Sequence, residues 1–206
     1  MVLLPPAAGS AADWSGLAAS LRSGGTVLTP DLRPVPDRPI ILEAPALAAL
    51  AAVSAAGLDT AAFCGLGFGA MAAMSAAAGF GDRVDALVLS TSRTPESTAL
   101  LSLQHGWQGL LPAATAQRWG ASATRVAELF DQVRPGDYRS WISRVTTPAL
   151  VLVGDRDVAN LGPSRTLAGA LPHGRLQVVR HAPAGWATSQ PDRYSELVWD
   201  YLSAGG

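Results

Sequence analysis

Three glycines at alternate positions, Gly65, Gly67 and Gly69, are the residues of this chain best placed to organise chemistry. A short apolar run precedes them and an Ala- and Met-rich stretch follows, which predicts a strand, a tight turn and a helix in that order. Such a turn aims the first N–H groups of the helix beyond the end of the strand. Two kinds of site use it: a nucleophile elbow of pattern G-x-S-x-G and a dinucleotide fingerprint of pattern G-x-G-x-x-G/A.

The turn matches these two patterns unequally. The centre of the elbow pattern is Gly67 instead of serine, whereas Gly65, Gly67 and Ala70 satisfy the fingerprint. An NADP-binding Rossmann-type protein is therefore an alternative, in which Ser and Arg side chains of residues 90–93 would contact a 2′-phosphate. Against it, a β–α unit already precedes the fingerprint, and residues 155–157 would have no role.

Composition narrows the class of protein. The chain has 206 residues, its 15 basic residues are all Arg, and its net charge is −1. This length favours one domain with a substantial core, and this charge argues against a surface that follows nucleic-acid phosphates. The single cysteine excludes an internal disulfide. We expect a cytoplasmic protein with no signal peptide, no membrane span, no metal and no cofactor, whose partners are an apolar small molecule and, as an option, a second copy in a homodimer.

Predicted strands alternate with predicted helices, which indicates an α/β fold with a mainly parallel sheet. The predicted strands are Val2–Leu4, Thr26–Thr29, Ala61–Cys64, Ala86–Ser90, Ala149–Val153 and Leu176–Val179. The predicted helices are Ala11–Leu21, capped by Ser10, then Ala46–Ala56, a helix from the glycine turn to about Ala78, one at about Pro163–Ala170, and one from Pro191 to about Leu202. We interpret residues 1–206 as a single domain with a helical insertion at about 92–143.

Three segments, taken in order, resemble α/β-hydrolase sequences. They are Val2–Leu4 with Leu28–Arg33, the glycine elbow with the strand after it, and Pro148–Asp157 followed by Leu176–Leu202. The resemblance covers nearly the whole chain except 92–143, where the family places its cap, and it starts at what would be the family's third strand. It implies an α/β-hydrolase-like three-layer sandwich that is N-terminally shortened and carries a small helical cap insertion.

The resemblance also implies a catalytic triad, of which this chain keeps little. In the family the elbow residue is the nucleophile, a histidine after the last strand is the base, and an acid orients that histidine. Gly67 has no side chain that could form an acyl-enzyme. An ungapped alignment places Ala184 at the base position, and a shifted register places Trp186 there. The chain is therefore expected to lack the Ser-His dyad.

Two residues stay as catalytic candidates. Asp157 matches the G-x-x-D spacing from Gly154 that the family uses for its acid, and the competing interpretation is that it caps the next turn. His181 lies three residues before the ungapped base position, close enough to enter a pocket, and the competing interpretation is a surface loop. Cys64, inside the elbow strand, is expected to be a buried structural thiol.

The oxyanion hole of the family uses backbone groups, which survive such substitutions. One N–H would come from Phe68, after Gly67, and the other from Ala7, because Pro5 and Pro6 replace the family's His-Gly and proline donates nothing. The residues that we expect to line the pocket are Pro5, Pro6, Trp14, His105, Trp107 and Trp186.

These features predict a non-hydrolytic enzyme. Pocket shape and polarising N–H groups could guide a cyclisation, rearrangement, isomerisation or dehydration of an apolar small molecule, such as an intermediate of natural-product biosynthesis. A binding pseudoenzyme without turnover is an alternative. A hydrolase with relocated residues, in which His181 activates water directly, is a third.

Overall fold

A single parallel sheet forms the middle of the molecule. The computed structural model describes residues 1–5, 14–31, 43–90 and 142–205. The strands that it contains are β1 Val2–Leu4, β2 Ala61–Leu66, β3 Val84–Ser90, β4 Ala149–Gly154 and β5 Gly174–Val179, in the sheet order β1-β2-β3-β4-β5. All four pairings are parallel. The predicted sheet is confirmed, and its central strands are continuously apolar because both faces are covered.

Helices cover both faces of this sheet. They are α1 Ser15–Arg22, α2 Glu43–Ala55, α3 Phe68–Gly79, α4 Val158–Ala170, α5 Trp186–Ser189 and α6 Pro191–Ser203, and a 3₁₀ turn occupies Gly81–Arg83. One core cluster joins α2, α3 and α4 to the sheet through residues such as Val53, Met74 and Leu167. The other joins α1, α5 and α6 through Leu17 and Val198 among others. The predicted three-layer α/β arrangement is therefore confirmed.

The sequence prediction differs from the structure at three elements. The predicted strand Thr26–Thr29 is reduced to one bridge, in which Leu28 pairs parallel with Val2, because Pro30 has no N–H to continue the ladder. Helix α4 begins at Val158 and not near Pro163, since Asp157 caps it five residues earlier than expected. The short helix α5 lies between the predicted strand Leu176–Val179 and the predicted helix from Pro191, in a stretch where the sequence pattern predicted neither helix nor strand.

The order in which the chain adds segments to the sheet reverses between β1 and β2. Leu28 hydrogen-bonds along the outer side of β1, with 2.8 Å from the Leu3 N–H to the Leu28 oxygen, whereas β2 and all later strands lie on the other side. In open α/β sheets, ligands bind outside the carboxyl ends of the strands at such a reversal. The reversal therefore marks the crevice between Pro5, after β1, and Gly67, after β2.

Several expectations lie outside the described residues. They include the insertion at about 92–143, apart from its last two residues, and the Ser10 cap of α1. The extent of the single domain likewise stays a prediction. In the described ranges, no helix has both the length and the apolar character needed to cross a bilayer.

Candidate functional site

The glycine elbow adopts the sharp strand-to-helix turn that its pattern predicts. Gly67 joins β2 to α3 with φ 54° and ψ −114°. This backbone conformation corresponds to the first central position of a type II′ turn, which glycine dominates because a side chain there is strained. The Gly67 N–H donates to the Ser90 oxygen at 3.0 Å, which ties the turn to the end of β3. The centre of the elbow therefore has the backbone of a nucleophile position and no side chain.

The flanking glycines let α3 start in contact with the strands. A Cβ on Gly65 would lie 2.4 Å from the Gly69 oxygen, and a Cβ on Gly69 would lie 2.0 Å from the Leu4 oxygen. Both distances are far below van der Waals contact, so any side chain at either position would displace backbone. The alternating glycines are thus explained by close packing at positions 65 and 69 and by conformation at position 67.

Neither candidate for the base position supplies an imidazole. Ala184 is exposed, and Gly185 after it takes φ 75° at the start of α5. Trp186 is 0% exposed and lies in the core cluster of α1, α5 and α6, with its ring centroid 5.2 Å from that of Tyr194. That Trp186 lines a pocket stays a prediction. Trp186 is a core residue beneath the edge of the sheet.

The carboxylate of Asp157 is engaged within its own helix. Asp157 is 2% exposed and caps α4, accepting from the Asn160 N–H at 3.3 Å. The side-chain amide of Asn160 donates to both carboxylate oxygens at 2.8 Å. Among the described residues, all hydrogen bonds to this carboxylate come from Asn160. The geometry is that of a helix cap. Within the described residues, Asp157 and His181 are not hydrogen-bonded to each other.

His181 lies at the same edge of the sheet but faces a different partner. It is exposed, and of the described non-glycine residues it alone has a positive φ, at 57°. Its Nδ1 lies 3.1 Å from Nη2 of Arg156; since guanidinium only donates, Nδ1 is the acceptor. The Asp155 carboxylate accepts the backbone N–H of His181 and that of Ala182, and these bonds lower the pKa of Asp155. His181 is thus held by Asp155 and Arg156.

A buried polar network, which the sequence did not reveal, lies below the elbow. The Tyr194 hydroxyl is 2.8 Å from Ser90 Oγ and 3.2 Å from Cys64 Sγ, and all three side chains are buried. Burial raises the pKa of the Cys64 thiol to about 12 and that of Tyr194 well above 10. Cys64 is therefore a protonated structural thiol, as expected. The only sequence signal for Tyr194 was its place on the apolar face of α6, with Val198 and Tyr201.

The other predicted site residues are only partly within the described ranges. Phe68 is the first residue of α3 and is buried. Pro5 follows β1, and its oxygen lies 2.6 Å from where a Cβ on Gly69 would stand. Trp14 precedes α1, packs against the second core cluster, and has a buried indole N–H with no hydrogen-bond partner in the described structure. Pro6, Ala7, His105 and Trp107 lie outside the described residues, so the oxyanion pair and the aromatic roof stay predictions.

The described residues at the carboxyl edge of the sheet divide by charge. The ends of β1, β2 and β3 carry Pro5, Gly67 and Ser90, which are uncharged, and we name this the elbow half. The ends of β4 and β5 carry residues 155–157 and 180–181, with two carboxylates, two guanidinium groups and an imidazole, and we name this the charged half. Across the described ranges, no group of three or more His, Cys, Asp or Glu could hold a metal ion.

Comparison with known proteins identifies the fold. No protein-family model and no curated protein sequence matches this chain. Solved structures do match in three dimensions. An α/β hydrolase from the sediment metagenome of the Mar Chica lagoon, Morocco, has a TM-score of 0.77 at 15% identity, over 98% of this chain and 90% of that one.

Two enzymes from named bacteria are also similar, with somewhat lower TM-scores. The enol-lactonase of Burkholderia xenovorans has a TM-score of 0.71 at 20% identity, over 98% of this chain and 90% of its own. A thermophilic esterase of Thermogutta terrifontis has a TM-score of 0.73 at 21% identity, over 99% and 89%. Together with the parallel sheet, the glycine elbow and the reversal between β1 and β2, these matches show that this chain has the α/β-hydrolase fold.

Proposed function

We propose that this protein binds an apolar small molecule at the elbow half and does not hydrolyse it. The observation that supports this most directly is Gly67, which occupies the turn of a nucleophile without a side chain. Acyl transfer through a covalent intermediate needs a nucleophile there, an adjacent base and a group that orients the base. At this elbow the first of the three is missing.

The other two triad positions support the same proposal. Trp186 is fully buried against Tyr194, and Asp157 is bonded to Asn160 as a helix cap. The acid position therefore holds a helix cap, and the base position holds a core residue in the shifted register or an exposed alanine in the ungapped one. A protein whose triad positions are filled in this way is better suited to holding a ligand than to turning it over.

The location and chemistry of the ligand follow from the edge of the sheet. The elbow half lies at the reversal between β1 and β2, where α/β proteins bind their ligands. The strand ends that the structure describes there, Pro5, Gly67 and Ser90, are uncharged, so they would desolvate a charged ligand without compensating it, whereas an apolar ligand loses nothing. An apolar small molecule is thus the class of ligand that suits this half.

A second function, non-covalent catalysis, is favoured by His181. Its positive φ stores strain, and strained non-glycine residues cluster at functional sites. Held next to Arg156 and Asp155, its imidazole could move a proton during a cyclisation, rearrangement, isomerisation or dehydration, as in natural-product biosynthesis. The two functions share the ligand and differ in turnover.

The absence of serine chemistry is tested with an activated nitrophenyl ester and a fluorophosphonate probe. We expect neither a burst of nitrophenol nor covalent labelling from the native protein or from Gly67→Ser, because no imidazole stands at Ala184 or Trp186. A burst from Gly67→Ser would show that His181 reaches the elbow and would overturn the proposal for that site. Because serine is strained at this φ by roughly 1–3 kcal/mol, the melting temperature of the variant must be checked first.

Ligand binding is tested by native mass spectrometry of the protein as purified, followed by thermal shift with apolar lactones and ketones. A retained small molecule that leaves unchanged supports the binding protein. A molecule that leaves altered, with conversion lost in His181→Gln, supports the enzyme. If no apolar compound binds, the proposed ligand class is wrong.

A further inference from the structure

The two outermost strands of the sheet, β1 and β5, differ in whether their outer backbone groups are paired. The outer side of β1 is covered, because Leu28 exchanges backbone hydrogen bonds with Met1 and Leu3 and the N-terminal amine donates to Thr26. On the outer side of β5, nothing within the described ranges pairs with the strand. An open edge of this kind can pair with another strand.

The backbone groups at this edge can be assigned from the pairing with β4. Ala149 donates to the His173 oxygen and Asp155 donates to the Val179 oxygen, so the odd-numbered carbonyls of this segment point toward β4. Backbone direction alternates along a strand, so the N–H and C=O groups of Gly174, Leu176 and Val178 point outward.

Strand β5 also lacks the features that protect natural sheet edges. It has no proline and no bulge, and Arg175 is its only charge. Val178, one of the outward residues, is a 37% exposed apolar side chain, and no other strand of the described ranges pairs along its outer side. Edge strands are normally kept apart by lysine, proline, bulges or short length.

We propose that β5 pairs antiparallel with β5 of a second copy of this chain, about a two-fold axis at Gln177. This register sets Leu176 opposite Val178 of the other copy, twice by symmetry, and so forms two apolar cross-strand pairs from outward-pointing residues. Arg175 then faces Val179 of the other copy, and no two like charges stand opposite each other. A centre at Leu176 would set Val178 against Gly174, and a centre at Val178 would set Leu176 against Arg180.

The pairing predicts a weak dimer with a continuous sheet. One strand pair buries less than the roughly 1,600 Å² of a standard interface, so we expect a dissociation constant in the micromolar range or above. Light scattering and sedimentation over a range of concentrations should therefore show a mass that rises from one chain to two.

Val178→Lys should shift this equilibrium toward the monomer by about tenfold or more, because the two-fold symmetry places two lysines in the interface, each opposite Leu176 of the other copy. Val158→Lys is the matched control, since Val158 is 84% exposed but lies on α4 away from the edge. Val178→Pro is a second variant, which removes an outward N–H and leaves the pairing with β4 intact. Circular dichroism of each variant confirms that it is folded.

Oxidative crosslinking tests the register. Gln177→Cys would place two thiols on facing residues about 4.5 Å apart at Cα and should crosslink readily. Arg175→Cys would place them roughly 14 Å apart and should not. The native Cys64 is buried and should stay silent. A monomer at all concentrations, a dimer that Val178→Lys leaves unchanged, or crosslinking through Arg175→Cys in preference to Gln177→Cys would each overturn the proposal.

Discussion

The elbow half and the charged half of the carboxyl edge are held in place by different means. In the elbow half the backbone itself packs: the start of α3 lies so close to β1 that a Cβ on Gly69 would approach the Leu4 oxygen to 2.0 Å. In the charged half, side chains bond to nearby backbone, as Asp157 does to Asn160 and Asp155 to Ala182. The elbow half depends on backbone packing, whereas the charged half adds these side-chain bonds to a close approach of its own, since a Cβ on Gly154 would lie 2.0 Å from the Ala182 oxygen.

This difference explains how an elbow can persist without a nucleophile. The conformation of the turn is set by the packing of α3 against β1 and β2, and it needs no nucleophile at its centre, where glycine adopts the required positive φ without strain. The charged half has a similar backbone contact between Gly154 and Ala182, and its acidic residues in addition cap a helix or hold a loop through hydrogen bonds. Shape and chemistry are therefore separable at this edge.

Gly69→Ala tests the elbow half and should have the largest effect. A methyl group would enter the space of the Leu4 carbonyl, and we expect a loss of about 3 kcal/mol or more in the free energy of unfolding. Gly162→Ala is the control, because a Cβ there meets nothing within 4 Å and alanine favours a helix by roughly 0.5–1 kcal/mol. Urea denaturation measures both. Equal stability of the two variants would mean that the close packing at the elbow is not rigid.

The sequence predicted the elements that depend on local patterns. The alternating glycines predicted the elbow because their spacing reflects backbone contacts, and continuous apolar runs predicted β3 and β4 because a doubly covered strand needs them. The sequence did not predict that Leu28 would form only a single bridge, since that depends on how Pro30 ends the pairing. It also did not predict the contact of Tyr194 with Ser90 and Cys64, which joins residues more than 100 positions apart.

The candidate site was harder to predict than the fold. Asp157 was identified as a candidate acid only because its G-x-x-D spacing resembles that of the family. Spacing alone cannot distinguish a helix cap from a catalytic group. Only the three-dimensional structure shows that the side-chain amide of Asn160 donates hydrogen bonds to the Asp157 carboxylate. Similarly, Trp186 could be placed at the base position by register, but its burial depends on contacts with Tyr194 of α6 and with α1, which lies near the other end of the sequence.

Tyr194→Phe tests whether side chains also support the elbow half from below. Removing the hydroxyl leaves Ser90 Oγ, in a residue 1% exposed, without its partner, and we expect a cost of about 1–2 kcal/mol. Tyr201→Phe, on the same helix, is the control, since its hydroxyl has no hydrogen bond within the described part of the chain. Thermal unfolding compares them. If Tyr201→Phe costs as much, the Ser90 contact contributes nothing specific.

Asp157→Ala tests the structural role of the charged half. The variant loses the cap of α4, which typically costs about 1 kcal/mol. Asp157→Ser, which can still accept from the Asn160 N–H, should recover most of that loss. Chemical denaturation of the native protein and the two variants measures these differences in the free energy of unfolding. A Ser variant as unstable as the Ala variant would show that the carboxylate has a role other than capping.

Asp155→Asn should have the smallest effect and a distinct pH dependence. Backbone N–H groups of His181 and Ala182 favour the charged form of Asp155, so its pKa in the folded protein lies below the ordinary 3.8. The unfolded chain therefore takes up this proton first as the pH falls, and the stabilisation is present above pH 3.8 and lost as the pH drops through the folded value. Stability curves of native protein and variant should thus differ slightly at neutral pH and converge in acid.

Asp82→Asn, which removes an exposed charge from the 3₁₀ turn, controls for net charge. A difference that persists undiminished in acid would mean that the substitution acts through something other than the charge of the Asp155 carboxylate, such as the close backbone contact between Gly154 and Ala182 in the same half.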